Sequence, residues 1–315
     1  MHAVREGTVL KDRYRLDHAL GRGSMGRVWQ GLDLHLRRPV AVKTIALDSA
    51  ADAEGRERFQ RRFEREARAA AALDSANVAT VHDADITGEL HWLVMQLVEG
   101  ATLGTVLAER ERLDTASAVA VAAQISSGLA AAHAAGLIHR DLKPENIMIR
   151  RDGVVKILDF GLVKLMSDDG PRLTSTGGQV GNLLYASPEL ITGHPAPDGR
   201  SDLYSVGCLL HHLLSGVPPF PPLRADQPLA VIRGHLDGAP PPLAELGIEV
   251  PAELQALLSA LLAKAPGARP GSAAEVYDAL RPWLPGSAAG SSGPRAFGAE
   301  DPRRPFVLPQ GPCWA

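Results

Sequence analysis

The run His139-Arg140-Asp141-Leu142-Lys143-Pro144-Glu145-Asn146, followed by Asp159-Phe160-Gly161, constrains this chain more than any other feature. It sets a proton acceptor, a cation and two metal-binding oxygens at short, fixed spacings. Asp141 can take a proton from an attacking hydroxyl. Lys143 can neutralise a transferred anionic group. Asn146 offers an amide oxygen, and Asp159 a carboxylate, to a divalent metal. Phosphoryl transfer from a nucleotide to a hydroxyl needs these groups and little else, because that chemistry is mostly positioning and charge neutralisation. Each residue alone reads as an ordinary loop residue; the order and spacing carry the signal.

Near the N-terminus stands Gly21-Arg22-Gly23-Ser24-Met25-Gly26-Arg27-Val28. Glycines there let backbone N–H groups approach phosphate oxygens without a side chain intervening. A dinucleotide-binding fold uses the same spacing, but a helix must then follow. Gly31 and Pro39 interrupt any helix, so the loop reads as a strand-turn-strand lid; alone, it could equally be a plain hairpin turn. Lys43 ends the strand Val40-Ala41-Val42, where it must find either solvent or an anion. Glu66 shares the apolar stripe Phe59, Phe63, Ala67, Ala70 of the next helix, and a carboxylate on a buried stripe is costly unless paired. Lys43–Glu66 is the natural pair and would aim the ammonium at phosphates.

The hydrophobic pattern predicts strands at 40–45, near 78–84, at 91–98 and at 154–158. It predicts helices at about 52–73, 116–135, 202–214, 229–236, 251–262 and 273–283. A mainly β part followed by a mainly α part makes an α+β architecture with a cleft between its two lobes. From Pro285 the Gly-, Ser- and Pro-rich composition is expected to form a flexible tail.

The 315 residues carry 33 Lys+Arg against 36 Asp+Glu, a net charge of −3, so no global basic field recommends a nucleic-acid partner. Two cysteines make a disulfide framework unexpected. Neither a signal peptide nor a membrane-spanning run stands out, since the apolar stretch 203–214 is too short. A soluble, cytoplasmic protein is the expectation.

These motifs together resemble the protein kinases, and among them the eukaryotic-like serine/threonine kinases of bacteria. The resemblance covers about Tyr14 to Leu284. It rests on the glycine loop, Val40-Ala41-Val42-Lys43, Arg65-Glu66-Ala67, the His139–Asn146 loop and Asp159-Phe160-Gly161. Further matches are Ser187-Pro188-Glu189, the run Ser201-Asp202-Leu203-Tyr204-Ser205-Val206-Gly207, and Arg269-Pro270.

The resemblance implies a bilobal kinase fold. A small β-rich N-lobe with one long helix would span 14–100, and a larger helical C-lobe 101–284. Residues 1–13 would be an extension and 285–315 a tail. It implies ATP with Mg²⁺, or Mn²⁺, as cofactors and Ser/Thr hydroxyls of protein substrates as acceptors. Asp141 and Lys143 would be catalytic with Lys43 and Glu66, and Asn146 and Asp159 would bind metal. Gly21, Arg22, Gly23, Ser24 and Gly26 would cradle the phosphates. Met95 would be the gatekeeper, with the backbone of Gln96 and Val98 bonding adenine between walls of Val28, Ala41, Met148 and Leu158. Ordinary core packing is the competing reading of those four walls. Arg269 would pair with Glu189. Thr174, Ser175 and Thr176 would be activation-loop phosphorylation sites read by Arg140. Some relatives pair through the N-lobe, which leaves self-association open. Asn182 stands where the family usually has Thr, Gln96 where Glu is frequent, and Ala265 where Asp is common. A pseudokinase acting as a nucleotide-binding scaffold is the competing class; loss of Lys43, Asp141 or Asp159 would mark it, and all three are present. A small-molecule kinase is disfavoured by Ser187-Pro188-Glu189, which suits a peptide platform.

Overall fold

The computed structural model describes residues 4–23, 26–46, 53–87, 90–160, 183–222, 228–285 and 301–307. Ser24, Gly161, Thr174, Ser175, Thr176, Asn182 and Cys313 lie outside these described residues. The chain divides into two compact units. Described residues up to Val98 form the first, the N-lobe, and those from Glu99 form the second, the C-lobe.

The N-lobe contains strands β1 (Val9–Leu10), β2 (Tyr14–Gly23), β3 (Gly26–Asp33), β4 (Arg38–Ala46), β5 (Val81–Thr87) and β6 (Leu90–Gln96), with helix α1 (Ala53–Ala71) between β4 and β5. The antiparallel sheet has the order β1-β2-β3-β4-β6-β5. Within the expected extension 1–13, Val9–Leu10 pairs with β2, and Leu10 is buried. The strand expected at 78–84 begins three residues later. Val78 is buried, which imitates strand patterning, but a turn in which Val78 N–H donates to Ser75 O holds it.

Alternation along the central strands sorts side chains between two faces. Val40, Val42, Trp92 and Val94 join Tyr14, Leu16 and Trp29 on one. Ala41, Ile45, Leu93 and Met95 pack on the other against Phe59, Phe63 and Ala67 of α1. Lys43 is in phase with Ala41 and Ile45, so it belongs to the face that α1 covers. His91 stands edge-on between Phe59 and Phe63, at centroid distances of 4.9 and 5.2 Å.

The C-lobe contains β7 (Gly100–Thr102), α2 (Leu103–Arg110), α3 (Thr115–Ala134), β8 (Ile147–Arg150), β9 (Val155–Ile157), α4 (Pro188–Thr192), α5 (Gly199–Ser215), α6 (Pro228–Asp237), α7 (Ala252–Leu261), α8 (Ala273–Leu280) and α9 (Arg304–Val307). The strands form one small sheet in the order β7-β8-β9. Helix starts follow side-chain capping: Asp114 accepts from Ser117 N at 3.0 Å, Asp198 from Arg200 N at 2.8 Å and Ser272 from Glu275 N at 3.2 Å. Pro282 lies in a 3₁₀ turn that ends α8 at Leu280, short of the expected 283. Helix α3 is long and apolar enough to cross a bilayer, with mean hydropathy 1.3, yet most of it is buried, against α5, α8 and β9. A helix apolar all round is what a globular core demands. The α+β reading therefore holds. Part of the expected tail departs from expectation: Asp301–Val307 packs on the C-lobe.

Asp33 is buried where β3 ends. Arg13 Nε and Nη2 donate to its two oxygens at 2.9 Å each, and the His35 and Leu36 amides donate at 3.2 Å. Arg13 is the main cause that holds the Asp33 carboxyl down at about 2, with the backbone amides helping and burial opposing. A folded-state pKa below the unfolded value of about 3.9 means the stabilisation is present above about pH 4 and lost as the pH falls toward 2. Asp33→Asn is expected to reduce stability at neutral pH and to flatten the decline in that acid window. Unfolding of both proteins as a function of pH checks this; parallel curves would refute it.

Candidate active site

The loop after α3 has few backbone partners of its own, so side chains hold it. Asp202 of α5 is fully buried. Its Oδ2 accepts from His139 N–H and lies 2.8 Å from His133 Nε2, while its Oδ1 accepts from Arg140 N–H at 2.8 Å. Arg140 takes φ = 62° and Asp159 φ = 53°, left-handed values that cost non-glycine residues roughly 1–3 kcal/mol.

His139 is buried and packs edge-on to Phe160, 5.1 Å between centroids. Its Nδ1 accepts from Asp141 N–H at 3.2 Å, which leaves Nε2 to donate to Leu158 O at 2.7 Å. Burial lowers the His139 pKa, so the neutral ring this arrangement requires is the favoured form. Leu158 N–H in turn donates to Asn146 O at 2.8 Å. These bonds make the 139–146 loop and the 158–160 segment one piece.

Within that piece, Asp141 Oδ2 lies 3.1 Å from Lys143 Nζ and 3.2 Å from Asn146 Nδ2. Asn146 Nδ2 also donates to Asp141 O at 2.8 Å. The amide nitrogen is thus committed to Asp141, and the amide oxygen is the atom left for a metal. An amide oxygen plus the Asp159 carboxylate suits Mg²⁺, which takes one or two protein carboxylates and completes its shell with phosphates and water. Among the described residues no cluster of three or more His, Cys, Asp or Glu offers an alternative metal site. The residues present fit a nucleotide-borne magnesium ion.

The N-lobe brings its own set. Gly23 and Gly26 are partners at the ends of β2 and β3, so strands flank the glycine motif on both sides and no helix follows it. A Cβ at Gly26 would collide with the Thr44 carbonyl oxygen, so strand packing alone demands glycine there. A Cβ at Gly21 would meet nothing within 4 Å, and packing makes no such demand. That openness is what close approach of a phosphate requires. Lys43 pairs across strands with Val28 and Leu93, and Ala41 with Met95. Glu66 Oε1 lies 3.8 Å from Arg65 Nη2, on a side chain 18% exposed. Val28, Gln96, Met148 and Leu158 are half-buried, and Ala41 and Val98 are buried. Gln96 N–H donates to Thr80 O at 2.8 Å.

A second buried assembly lies in the C-lobe. Arg269 Nη1 and Nη2 donate to Glu189 Oε1 and Oε2 at 2.7 and 2.9 Å, and Ser201 Oγ donates to Oε1 at 2.6 Å. This is the pair the resemblance implied. In the sequence Asp202 reads only as part of a buried helix; its grip on the His139–Arg140 backbone leaves no local signal, because the partners lie about sixty positions apart.

A β-sheet lobe with one long helix, a helical lobe, and an Asp-Lys-Asn loop bonded to an Asp-Phe segment define a phosphoryl-transfer architecture. Comparisons agree: the family model described as protein kinase domain matches residues 14–282, and the chain belongs to that family. It is 38% identical over 296 residues to a probable serine/threonine-protein kinase of Streptomyces coelicolor, covering 92% of this chain and 42% of that protein. It is 40% identical over 264 residues to serine/threonine-protein kinase PknL of Mycobacterium bovis, covering 84% and 64%. With PknB of Mycolicibacterium smegmatis it shares 38% over 271 residues, covering 85% and 42%. The chain therefore spans between 42% and 64% of the length of these relatives.

Breaking a buried ion pair leaves an uncompensated charge and costs roughly 3–5 kcal/mol. Glu189→Gln is expected to destabilise the protein on that scale, and Arg269→Lys to destabilise it as well, because lysine lacks the fork. Denaturant unfolding measures both; a loss below about 1 kcal/mol would contradict the assignment.

Proposed function

We propose that the chain is an active serine/threonine protein kinase that transfers the γ-phosphoryl group of ATP to Ser or Thr hydroxyls of proteins. The observation that carries this reading is the Asp141 carboxylate, bonded to both Lys143 and Asn146 in a loop that Leu158 ties to Asp159. The acceptor oxygen attacks the γ-phosphorus as its proton passes to Asp141. The bond to the β–γ bridging oxygen breaks, and ADP leaves. Lys143 neutralises charge on the moving phosphoryl group. Asn146 Oδ1 and the Asp159 carboxylate would hold Mg²⁺, which would supply neutralisation of phosphate charge when bound.

Lys43 reaches the α and β phosphates and pairs with Glu66; both belong to the sheet face and helix stripe that meet in the N-lobe core. Gly21, Arg22, Gly23, Ser24 and Gly26 would contact the phosphates. The Gln96 carbonyl and the Val98 amide would bond adenine, with Val28, Ala41, Met148 and Leu158 as the candidate apolar contacts. Phosphorylation at Thr174, Ser175 or Thr176 adds nearly two negative charges that Arg140 reads. The reaction belongs where ATP and Mg²⁺ are supplied, in the cytoplasm.

A general base typically contributes 10²–10⁴ in rate. Asp141→Asn is expected to cut phosphate transfer from ATP to a generic Ser/Thr protein by about that factor while nucleotide binding persists. Equal rates in the two proteins would remove Asp141 from the chemistry; undetectable transfer by the unsubstituted protein at any Mg²⁺ or Mn²⁺ concentration would favour the scaffold reading. Mass mapping after incubation with ATP and Mg²⁺ is expected to find phosphate on residues 174–176. Sites confined to residues 285–315 would overturn that regulatory assignment.

A further inference from the structure

Helix α3 is apolar nearly all round, yet Gln124 sits in its middle at 4% exposure. A buried primary amide must place two N–H groups and an oxygen. Gln124 Oε1 accepts from Val155 N–H at 2.9 Å, and Nε2 donates to Gly153 O at 3.1 Å. The remaining donation goes to Pro302 O at 2.9 Å. A core residue thus completes its hydrogen bonding with the tail.

Other contacts converge on the same place. Gly153 takes φ = 83°, and a Cβ there would collide with the Asp301 carbonyl oxygen, so the bare glycine lets the tail backbone approach. Arg304 Nη1 donates to Arg151 O at 3.1 Å, and Pro302 is buried. The tail segment also arrives with a shape of its own. Arg303 Nε and Nη2 donate to Asp301 Oδ1 and Oδ2 at 2.9 and 2.7 Å, and Arg303 N–H donates to Oδ1 at 3.0 Å. Arg303 Nη1 lies 3.9 Å from Asp114 Oδ1, the residue that caps α3. Burial works against the Asp301 charge, but the Arg303 bonds outweigh it and hold the carboxyl below its usual value. A self-folded Asp-Pro-Arg turn set on a glycine platform and a buried amide is a recognition arrangement.

We propose that the C-lobe face made by Gln124, Asp114 and the 151–153 turn is a peptide-docking site for an Asp-Pro-Arg-Arg sequence, occupied reversibly in cis by residues 301–304 of this chain. This does not depend on the catalytic reading. The contacts are few, so the intrinsic affinity is weak, and covalent attachment fills the site. A tethered ligand has an effective concentration on the order of mM. A free peptide with a Kd of ~100 µM then binds the intact chain roughly tenfold more weakly than it binds a chain whose own segment is released.

The probe is a fluorescein-labelled peptide with the sequence of residues 298–307. It is titrated by fluorescence anisotropy against the full 315-residue chain and against the same chain carrying Asp301→Ala and Arg303→Ala. Both substitutions lie in the tail, and within the lobes they remove only the Arg303 approach to Asp114. Saturable binding to the substituted chain, about tenfold weaker binding to the unsubstituted one, and no binding of a peptide bearing the same two substitutions are expected. Equal affinity for both chains, or no saturable binding to the substituted chain, would overturn the proposal.

Discussion

The Asp202 carboxylate is the contact on which the catalytic loop depends. Loop amides without secondary-structure partners must be satisfied by side chains or water, and inside the C-lobe that task falls to Asp202 for two consecutive N–H groups. Hydrogen bonds to a charged acceptor are worth about 1.5–3 kcal/mol each. Two of them outweigh the left-handed backbone at Arg140, whose cost is roughly 1–3 kcal/mol. The strain turns the chain so that Asp141 follows with its carboxylate toward Lys143 and Asn146. Helix α5 supplies the anchor, so the placement of the proposed base is decided by core packing rather than by the loop's own residues.

Helix α5 and the Ser187-Pro188-Glu189 segment are coupled through Arg269. A guanidinium has five N–H donors, and here Nε reaches Ala263 O, Nη1 reaches Glu189 and Arg200 O, and Nη2 reaches Glu189 and Lys264 O. All five are accepted, and the guanidinium carbon lies 4.8 Å from the Tyr204 ring centroid. A buried ion pair is tolerable when every remaining donor is met. The buried pair, at 0% and 2% side-chain exposure, satisfies that condition. It links α4 to the turn before α8 across some eighty residues, which no local propensity could do.

Much of this was legible because it is periodic or densely spaced. The stripe Phe59, Phe63, Ala67 marked α1, and the polar positions from His139 to Asn146 and at Asp159 marked the site. What escaped was either too short or too distant. Val9–Leu10 is two residues long and has no period to read, yet it pairs with β2. Leu103–Arg110 has only three buried positions and gave no clear stripe. Asp202 looks like any acidic residue near a helix start, and only the folded chain brings His139 to it. Asp301–Arg304 reads as tail by composition, since Pro and Arg do not build a core. Its partners, Gln124 and Gly153, lie far upstream, and nothing local announces them.

His139 shows why the two metal-binding candidates stay in register. Its ring must be neutral, with the proton on Nε2, for Nδ1 to accept from Asp141 N–H while Nε2 donates to Leu158 O. Protonation would put a donor against the Asp141 amide and leave a charge buried beside Phe160. Burial opposes that protonation by lowering the pKa below the ordinary imidazole value. The unfolded chain takes up the proton first as the pH falls, so the stabilisation from the neutral ring is present above about pH 6.5 and declines below it. The Leu158 bond to Asn146 completes the circuit, and Asp159 is the next residue. Asn146 and Asp159 are thus spaced by a closed hydrogen-bonded ring around one uncharged histidine, which keeps both candidate metal ligands in register although the Asp159 backbone is left-handed.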